Sequence, residues 1–299
     1  MNIFITGATG LIGSSLVSRL VELKHNVTAL SRHPEQARAK LPAQVNLVAS
    51  LDHYYASFDE FDAVINLAGE PIFDLRWNAQ QKQRLIQSRI NLTQKLTALI
   101  NQSQQPPHTF ISGSATGFYG DHGDSEITEQ TSAGNGFAAQ LCQQWEQAAL
   151  SAKTRVCLLR TGIVLAGQGG ALAQMLPLYH FGFGGKLGNG TQYWGWIALP
   201  DMVEAILFLL QQPQCQGPFN LVSPYPVQNA EFNHTLGSLL KRPHFAAVPA
   251  IMLRWVLGER ADLLLDSQAV LPQKLLNAGF TFHYPQLSQA LSYALKAAN

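Results

Sequence analysis

Apolar positions recur along this chain with two periods. Ile3, Phe4 and Ile5 form an unbroken run, as in a short strand covered on both faces. Leu11, Ile12, Leu16, Leu20 and Leu23 then fall at helical spacing, giving one apolar stripe that can pack back onto that strand. Further strand-like stretches at 26–30, 45–48, 63–66, 109–112 and 156–161 alternate with helical patterns such as 85–100 and 137–150. This alternation predicts a doubly wound α/β fold, a parallel sheet with helices on both faces. Ligands of such sheets bind where the carboxyl ends of the strands open into a crevice. The residues just past each strand therefore draw attention: Ser50-Leu51, Leu67-Ala68-Gly69, Ser112-Gly113-Ser114 and Gly162-Ile163-Val164.

Beyond Gly167 the pattern loosens. Gly169, Gly170, Gly182, Gly184, Gly185, Gly188 and Gly190 predict loop, suited to covering a substrate. A helix is expected from Pro200 through Leu210, a short strand at 218–222, and mostly helix from Pro249 onward. The expected partition is a dinucleotide-binding domain over 1–166 to which 191–222 return, with 167–190 and 223–299 forming a smaller, mostly helical substrate lobe. The polar stretch 102–107 reads as a hinge ahead of the fifth strand.

Between the first strand and the first helix lies Thr6-Gly7-Ala8-Thr9-Gly10-Leu11-Ile12-Gly13. In a turn of this spacing the first glycine supplies torsions that a Cβ forbids, the second admits a pyrophosphate, and the third lets helix and strand pack closely. The phosphates rest on the free N–H groups at the helix start. Gly7, Thr9, Gly10, Leu11, Ile12 and Gly13 are thus expected to cradle a dinucleotide. At the end of the second strand, where a carboxylate would hold the ribose of NAD, the chain reads Ser31-Arg32-His33. A guanidinium offers forked donors to a 2′-phosphate that a carboxylate would repel, so Ser31 and Arg32 point to NADP.

Composition narrows the remaining classes. The 299 residues are 46% hydrophobic and 13% charged, enough to bury a large core, and the net charge of +1 is spread without a basic stripe. A nucleic-acid partner is not expected. No stretch approaches the ~18 apolar residues of a membrane span, and no basic-then-apolar leader precedes the first strand, so neither a membrane nor a cleaved signal is expected. Cys142, Cys157 and Cys215 show no paired spacing, which suits a reducing cytoplasm. The nine histidines lack ligand spacing, so no metal is expected. The expected partner is a small-molecule substrate, and the chain a monomer or homodimer.

Thr6 to Gly13, Asn66-Leu67-Ala68-Gly69 and Ser112-Gly113-Ser114-Ala115-Thr116-Gly117-Phe118-Tyr119-Gly120 together resemble the extended or atypical short-chain dehydrogenase/reductase superfamily, near the nucleoside-diphosphate-sugar epimerases. Three further stretches, 160–165, 181–190 and 261–285, are similar to a subgroup of sugar-nucleotide epimerase-like proteins with a C-terminal domain of unknown function. The resemblance implies a Rossmann-type domain holding the dinucleotide also along Leu67, Ala68, Gly69, Ser112, Arg160, Gly162 and Val164.

That superfamily moves a proton with a serine and a YxxxK pair, in which one helical turn sets the ammonium beside the phenol and lowers its pKa. Ser114 falls on the serine position. At the YxxxK position stand Phe137 and Leu141, which transfer no proton. Tyr119 is the nearest other phenol, so Ser114 and Tyr119 are the catalytic candidates.

Other residues enter with bland alternatives. Arg89 can reach an anionic group or lie solvated; Glu129, Asp121, His122 and Asp124 form a polar loop or supply an acid. Cys142 reads as a buried thiol, and Trp194 and Trp196 as lining or plugging the substrate cover. The expected function is an NADP(H)-dependent oxidoreductase or epimerase-like enzyme acting on a small polar, nucleotide-sugar-like substrate. The alternative is a non-catalytic NADP-binding sensor.

Overall fold

The computed structural model describes residues 1–54 and 57–297, apart from the side chain of His53. Its centre is a seven-stranded sheet of β1 (Asn2–Thr6), β2 (Asn26–Leu30), β3 (Asn46–Val48), β4 (Ala63–Asn66), β5 (Thr109–Ala115), β6 (Arg155–Thr161) and β7 (Gly217–Leu221). The spatial order is β7-β6-β5-β4-β1-β2-β3, and every pairing is parallel. Both faces are covered. Ile3 and Ile5 belong to one hydrophobic cluster and Phe4 to another, and Ala63 and Ile65 are split from Val64 in the same way. The chain leaves β1 toward β2 on one side and reaches β4 on the other, so the strand order reverses beside the carboxyl end of β1, where ligands of open α/β sheets bind.

Strands 26–30 and 63–66 lie where the apolar pattern puts them. β5 runs three residues farther than the expected 109–112, because Gly113, Ser114 and Ala115 stay in register with Leu159, Arg160 and Thr161 of β6. Ser112 and Ser114 therefore sit within the packed sheet, not beyond its end. The expected helix over 85–100 is instead a helix at Ala79–Ile86, a π-helical turn at Gln87–Asn91 and a helix at Leu92–Gln102. Asn78 caps the first by accepting a hydrogen bond from Gln81 N at 2.8 Å. The glycine-rich stretch also differs from expectation. It contains a helix at Gly170–His180, held by Leu172, Leu176 and Tyr179, which share one buried face.

A second core joins that helix to Trp194 and Trp196 from two short strands and to Phe232, Leu236, Leu287 and Leu291 from helices Asn229–Leu240 and Leu287–Lys296. Asp201, fully buried at the start of helix Leu199–Gln211, accepts the N–H groups of His283 and Tyr284 at 2.8 and 2.9 Å. This clamps the C-terminal segment to the helix that packs on the main sheet. Among the described residues no helix is long and apolar enough to cross a membrane.

Candidate functional site

The three glycines of the first turn are required for three different physical reasons. Gly7 has φ +73°, and a Cβ there would lie 2.5 Å from Leu67 C. A Cβ at Gly13 would lie 2.1 Å from the Gly7 carbonyl oxygen. Gly10 is nearly open, its Cβ position meeting only Gly7 O at 3.3 Å. Gly10 is also the N-cap of helix Leu11–Glu22, and no side chain caps that end. The amino end of the helix is thus left for an anion, over a backbone that a side chain would block. Thr6 Oγ1 donates to Asn66 Oδ1 at 2.6 Å, fixing β1 against β4 beneath the turn.

The turn opens on a cleft of about 480 Å³ lined by Thr9, Gly10, Ser31, Arg32, His33, Lys40, Leu67, Ala68, Gly69 and Glu70 among others. Arg32 is exposed there, and no hydrogen bond or ion pair engages it among the described residues. Arg38 differs, donating to the carbonyls of Ala43 and Val45 at 3.0 and 2.9 Å. Ser31 Oγ accepts the His33 N–H at 3.3 Å, holding the start of the loop. If Arg32 reads a 2′-phosphate, Arg32→Ala weakens NADPH binding by roughly tenfold to a hundredfold, as expected for a charge-assisted hydrogen bond of about 1.5–3 kcal/mol, and leaves NADH unchanged. Fluorescence titration with both cofactors checks this, and equal losses would contradict it.

Three of the expected site residues are engaged with one another's partners. Ser114 Oγ donates to Glu146 Oε1 at 2.7 Å, and Arg160 grips both Glu146 oxygens at 2.8 Å. Arg160 also donates to the Tyr119 hydroxyl at 2.9 Å, and that hydroxyl donates to Asn220 Oδ1 at 2.6 Å. All five side chains are buried. Burial pushes the Tyr119 phenol up to about 12, with Arg160 only partly opposing it. Ser114, Tyr119 and Arg160 thus meet in one buried polar network, and none of the three lines the cleft. The cause is β5, whose extra length pairs Ser114 with Arg160 in the sheet. Tyr119→Phe would strand one Arg160 N–H and Asn220 Oδ1, so an unfolding loss of about 1–3 kcal/mol is expected in urea titration with little change in NADPH affinity.

Beside the cleft lies a second cavity of about 350 Å³, lined by Trp77, Ala115, Thr116, Asn135, Phe137, Ala138, Cys142, Gly162, Tyr193, Trp194, Glu259, Asp262, Asp266 and Gln268 among others. Helix Gly136–Leu150 begins at this cavity, again without a side-chain cap. Phe137 lines it and packs on Trp77 at 5.0 Å between ring centres. Leu141 instead lies in a hydrophobic cluster with Leu85, Ile90 and Trp145. The residues one helical turn apart on the cavity wall are Ala138 and Cys142, so no tyrosine–lysine pair faces it from this helix. Burial pushes the Cys142 thiol up to about 11, against any role as nucleophile.

The hydroxyls that line the cavity are Thr116, Tyr193 and Thr161, the last donating to Leu159 O at 3.1 Å, and the ionisable carboxyls are Glu259, Asp262 and Asp266. Asp266 stands out: its carboxyl is pushed up to about 7, first by burial and then by Asp262 and Asp121, against the pull of Arg254. Sequence reasoning missed it. The spacing Asp262-Leu-Leu-Leu-Asp266 is visible in the chain, yet nothing in that spacing says which carboxylate finds a partner.

The remaining candidates lie in several different settings. Arg89 lies over Trp145 and donates to Glu70 O at 2.9 Å, while Ser88 Oγ accepts Glu70 N–H at 3.1 Å. The π-helical turn thus holds the loop after β4, and burial lowers the Arg89 pKa. Glu129 is buried and accepts N–H groups of Asn220 and Lys274. Asp121 accepts from Gly123 and Ser267, while His122 Nδ1 is buried without a partner among the described residues and Asp124 is exposed. Trp194 lines the cavity, and Trp196 is a core side chain donating to Tyr225 O at 3.1 Å. Ser112 is fully buried beside Asn66. Val164 packs against the main core, and Gly162 lines the second cavity.

A seven-stranded parallel sheet with a glycine cradle at its switch point defines a Rossmann-type dinucleotide-binding protein. The chain belongs to the NAD-dependent epimerase/dehydratase family, whose sequence pattern matches residues 3–223, and residues 248–294 match a domain of unknown function, DUF1731. It is 41% identical to an epimerase family protein of Mycobacterium leprae, over 97% of this chain and 94% of that one. It is 37% identical to the chloroplastic SDR39U1 homologue of Arabidopsis thaliana, over 97% and 86% of the two chains. The crystal structure of human epimerase family protein SDR39U1 with NADPH superposes with a TM-score of 0.89 over 99% of both chains at 31% identity.

Proposed function

We propose that this chain binds NADPH across the amino end of helix Leu11–Glu22 and acts as an oxidoreductase on a small, uncharged carbonyl or carbinol compound in the adjoining cavity. The carrying observation is Arg32, a guanidinium without a partner among the described residues, on the same cleft as the glycine cradle. The NADPH in the human relative's structure supports the same choice of cofactor. Gly7, Thr9, Gly10, Leu11, Ile12 and Gly13 would hold the pyrophosphate, Ser31 and Arg32 the 2′-phosphate, and Leu67, Ala68 and Gly69 the chain of the cofactor beyond β4. When bound, NADPH supplies a hydride to the carbonyl carbon.

The second cavity fits the other reactant. Its charged lining residues are all acids, Glu259, Asp262 and Asp266, and the nearby Lys82 and Arg254 are already paired with Glu259 and Asp262, so the wall offers a diphosphate group no unpaired lysine or arginine. A carbonyl oxygen can be received by N–H groups at the start of helix Gly136–Leu150 and by the Thr116 hydroxyl. Glu259, Asp262, Leu263, Asp266 and Gln268 line the cavity from the C-terminal segment, which supports a substrate-covering role for that lobe. The test is NADPH consumption, followed by absorbance, with a panel of small aldehydes and ketones beside sugar nucleotides. Turnover of small carbonyl compounds is expected, and strict dependence on sugar nucleotides would contradict the reading.

One observation favours a second reading. The cavity wall carries Ala138 and Cys142 where a proton-transfer pair would be expected, and a sensor would need only the cleft. Tight NADPH binding without consumption across the panel would select it.

A further inference from the structure

We propose that the Asp266 carboxyl is the proton-transfer group of the second cavity, supplied by the C-terminal lobe in place of a tyrosine–lysine pair on helix Gly136–Leu150. The inference rests on the oxidoreductase reading and names the residue that reading lacks. Its basis is the contrast between a rigidly placed backbone and an unengaged side chain.

The backbone on both sides of Asp266 is fixed. Asp266 N–H donates to Asp262 O at 2.9 Å. Ser267 N–H donates to Asp121 Oδ1 at 2.9 Å, Ser267 Oγ donates to Gly123 O at 2.6 Å, and the same Oγ accepts Tyr193 N–H at 3.0 Å. Gln268 donates through its backbone to Tyr193 O at 2.9 Å and through its amide to Gly120 O at 3.1 Å. Asp266 is thereby tied to the strand carrying Tyr193 and to the loop following Tyr119.

Its carboxyl, by contrast, makes no hydrogen bond or ion pair among the described residues, although it lines the cavity. The neighbouring acids are all engaged: Asp262 pairs with Arg254, Glu259 with Lys82 at 2.7 Å, and Asp121 with two backbone N–H groups. A half-buried carboxyl without donors avoids charge, and Asp262 and Asp121 add to that while Arg254 opposes it. The other titratable groups on the cavity wall are Glu259, Tyr193 and Cys142. The result is a group that exchanges its proton near neutrality, where general acid and base catalysis works best.

Across the same cavity, Thr116 is only 8% exposed and its hydroxyl has no partner among the described residues. That hydroxyl and the start of helix Gly136–Leu150 can orient a carbonyl oxygen. As the carbonyl carbon accepts a hydride from the reduced nicotinamide, the π pair moves to oxygen, the Asp266 O–H bond breaks, and its proton completes the new hydroxyl. Asp266 is left as carboxylate and regains a proton from water. In the oxidative direction the carboxylate takes the hydroxyl proton as the hydride leaves for the oxidised nicotinamide.

Three readouts on the 299-residue chain test this. Infrared difference spectra between pH 5.5 and 8.5 should show a protonated carboxyl in the wild type that titrates near 7 and is missing from Asp266→Asn. A raised carboxyl pKa means the folded state binds the proton more tightly than the unfolded chain, so wild-type stability falls as pH rises from about 4 to 7. Asp266→Asn should therefore raise Tm at pH 8.5, with the gain shrinking toward pH 4. With a carbonyl probe that the wild type reduces, Asp266→Asn should lower kcat by roughly 10²–10⁴-fold and leave NADPH affinity unchanged, and Asp266→Glu should restore part of it. A carboxyl that titrates near 4, or kcat retained in Asp266→Asn, overturns the proposal. Absence of NADPH consumption by the wild type across the panel instead overturns the oxidoreductase reading, whichever way Asp266 titrates.

Discussion

Glu146→Ala is expected to lower the free energy of unfolding by about 3–5 kcal/mol, the cost of breaking a buried ion pair from one side. Arg160 would remain buried against Phe118, its guanidinium 3.5 Å from the ring centre, after losing both bonds to Glu146. Ser114 would lose the acceptor of its hydroxyl as well. Replacing the pair together, Glu146→Leu with Arg160→Met, should cost far less, because no charge is then left behind. Urea unfolding at neutral pH measures both. A loss below about 1 kcal/mol for Glu146→Ala would show that Arg160 finds water or another partner, and that the network is not sealed. NADPH affinity should change little in either variant, since neither residue lines the cleft.

The second large effect is expected at Gly13, where two physical preferences oppose each other. Gly13 lies inside helix Leu11–Glu22, and helix propensity alone would make Gly13→Ala stabilising by up to about 1 kcal/mol. The geometry argues the reverse, because the new Cβ would sit 2.1 Å from Gly7 O and 2.9 Å from Ala8 Cα. Gly7 cannot retreat, since it already packs against the backbone of Leu67. The overpacking should cost about 1–3 kcal/mol. Any relief must displace the turn proposed to receive the phosphates, so NADPH affinity should fall by more than about tenfold. Thermal unfolding and cofactor titration on the same sample separate these effects; a more stable variant with unchanged affinity would contradict the packing argument.

The sheet was readable from the chain because its central strands are buried on both faces, so Ile3-Phe4-Ile5 and 63–66 appear as short apolar runs between helical patterns. The glycine cradle was readable because its torsions and close contacts admit no other residue type at Gly7 and Gly13. The meeting of Ser114, Tyr119 and Arg160 in one buried network was not legible in the chain. Their residue types suit catalysis and satisfy a buried network equally well, and only the register of β5 on β6 decides between them. The π-helical turn at Gln87–Asn91 left no mark in the periodicity, although it places Ser88 and Arg89 on Glu70. Helix Gly170–His180 was hidden by the glycines around it, while its Leu172, Leu176 and Tyr179 stripe was present throughout. Asp266 was invisible because what distinguishes it is the lack of a partner, a property of the assembled cavity.

The central claim is that the cleft beside Gly10 and Arg32 is an NADPH site. Isothermal calorimetry of the wild-type chain with NADPH and with NADH tests it most directly. One NADPH per chain should bind, at least about tenfold more tightly than NADH. No heat with either nucleotide, or equal affinity for both, would contradict the account.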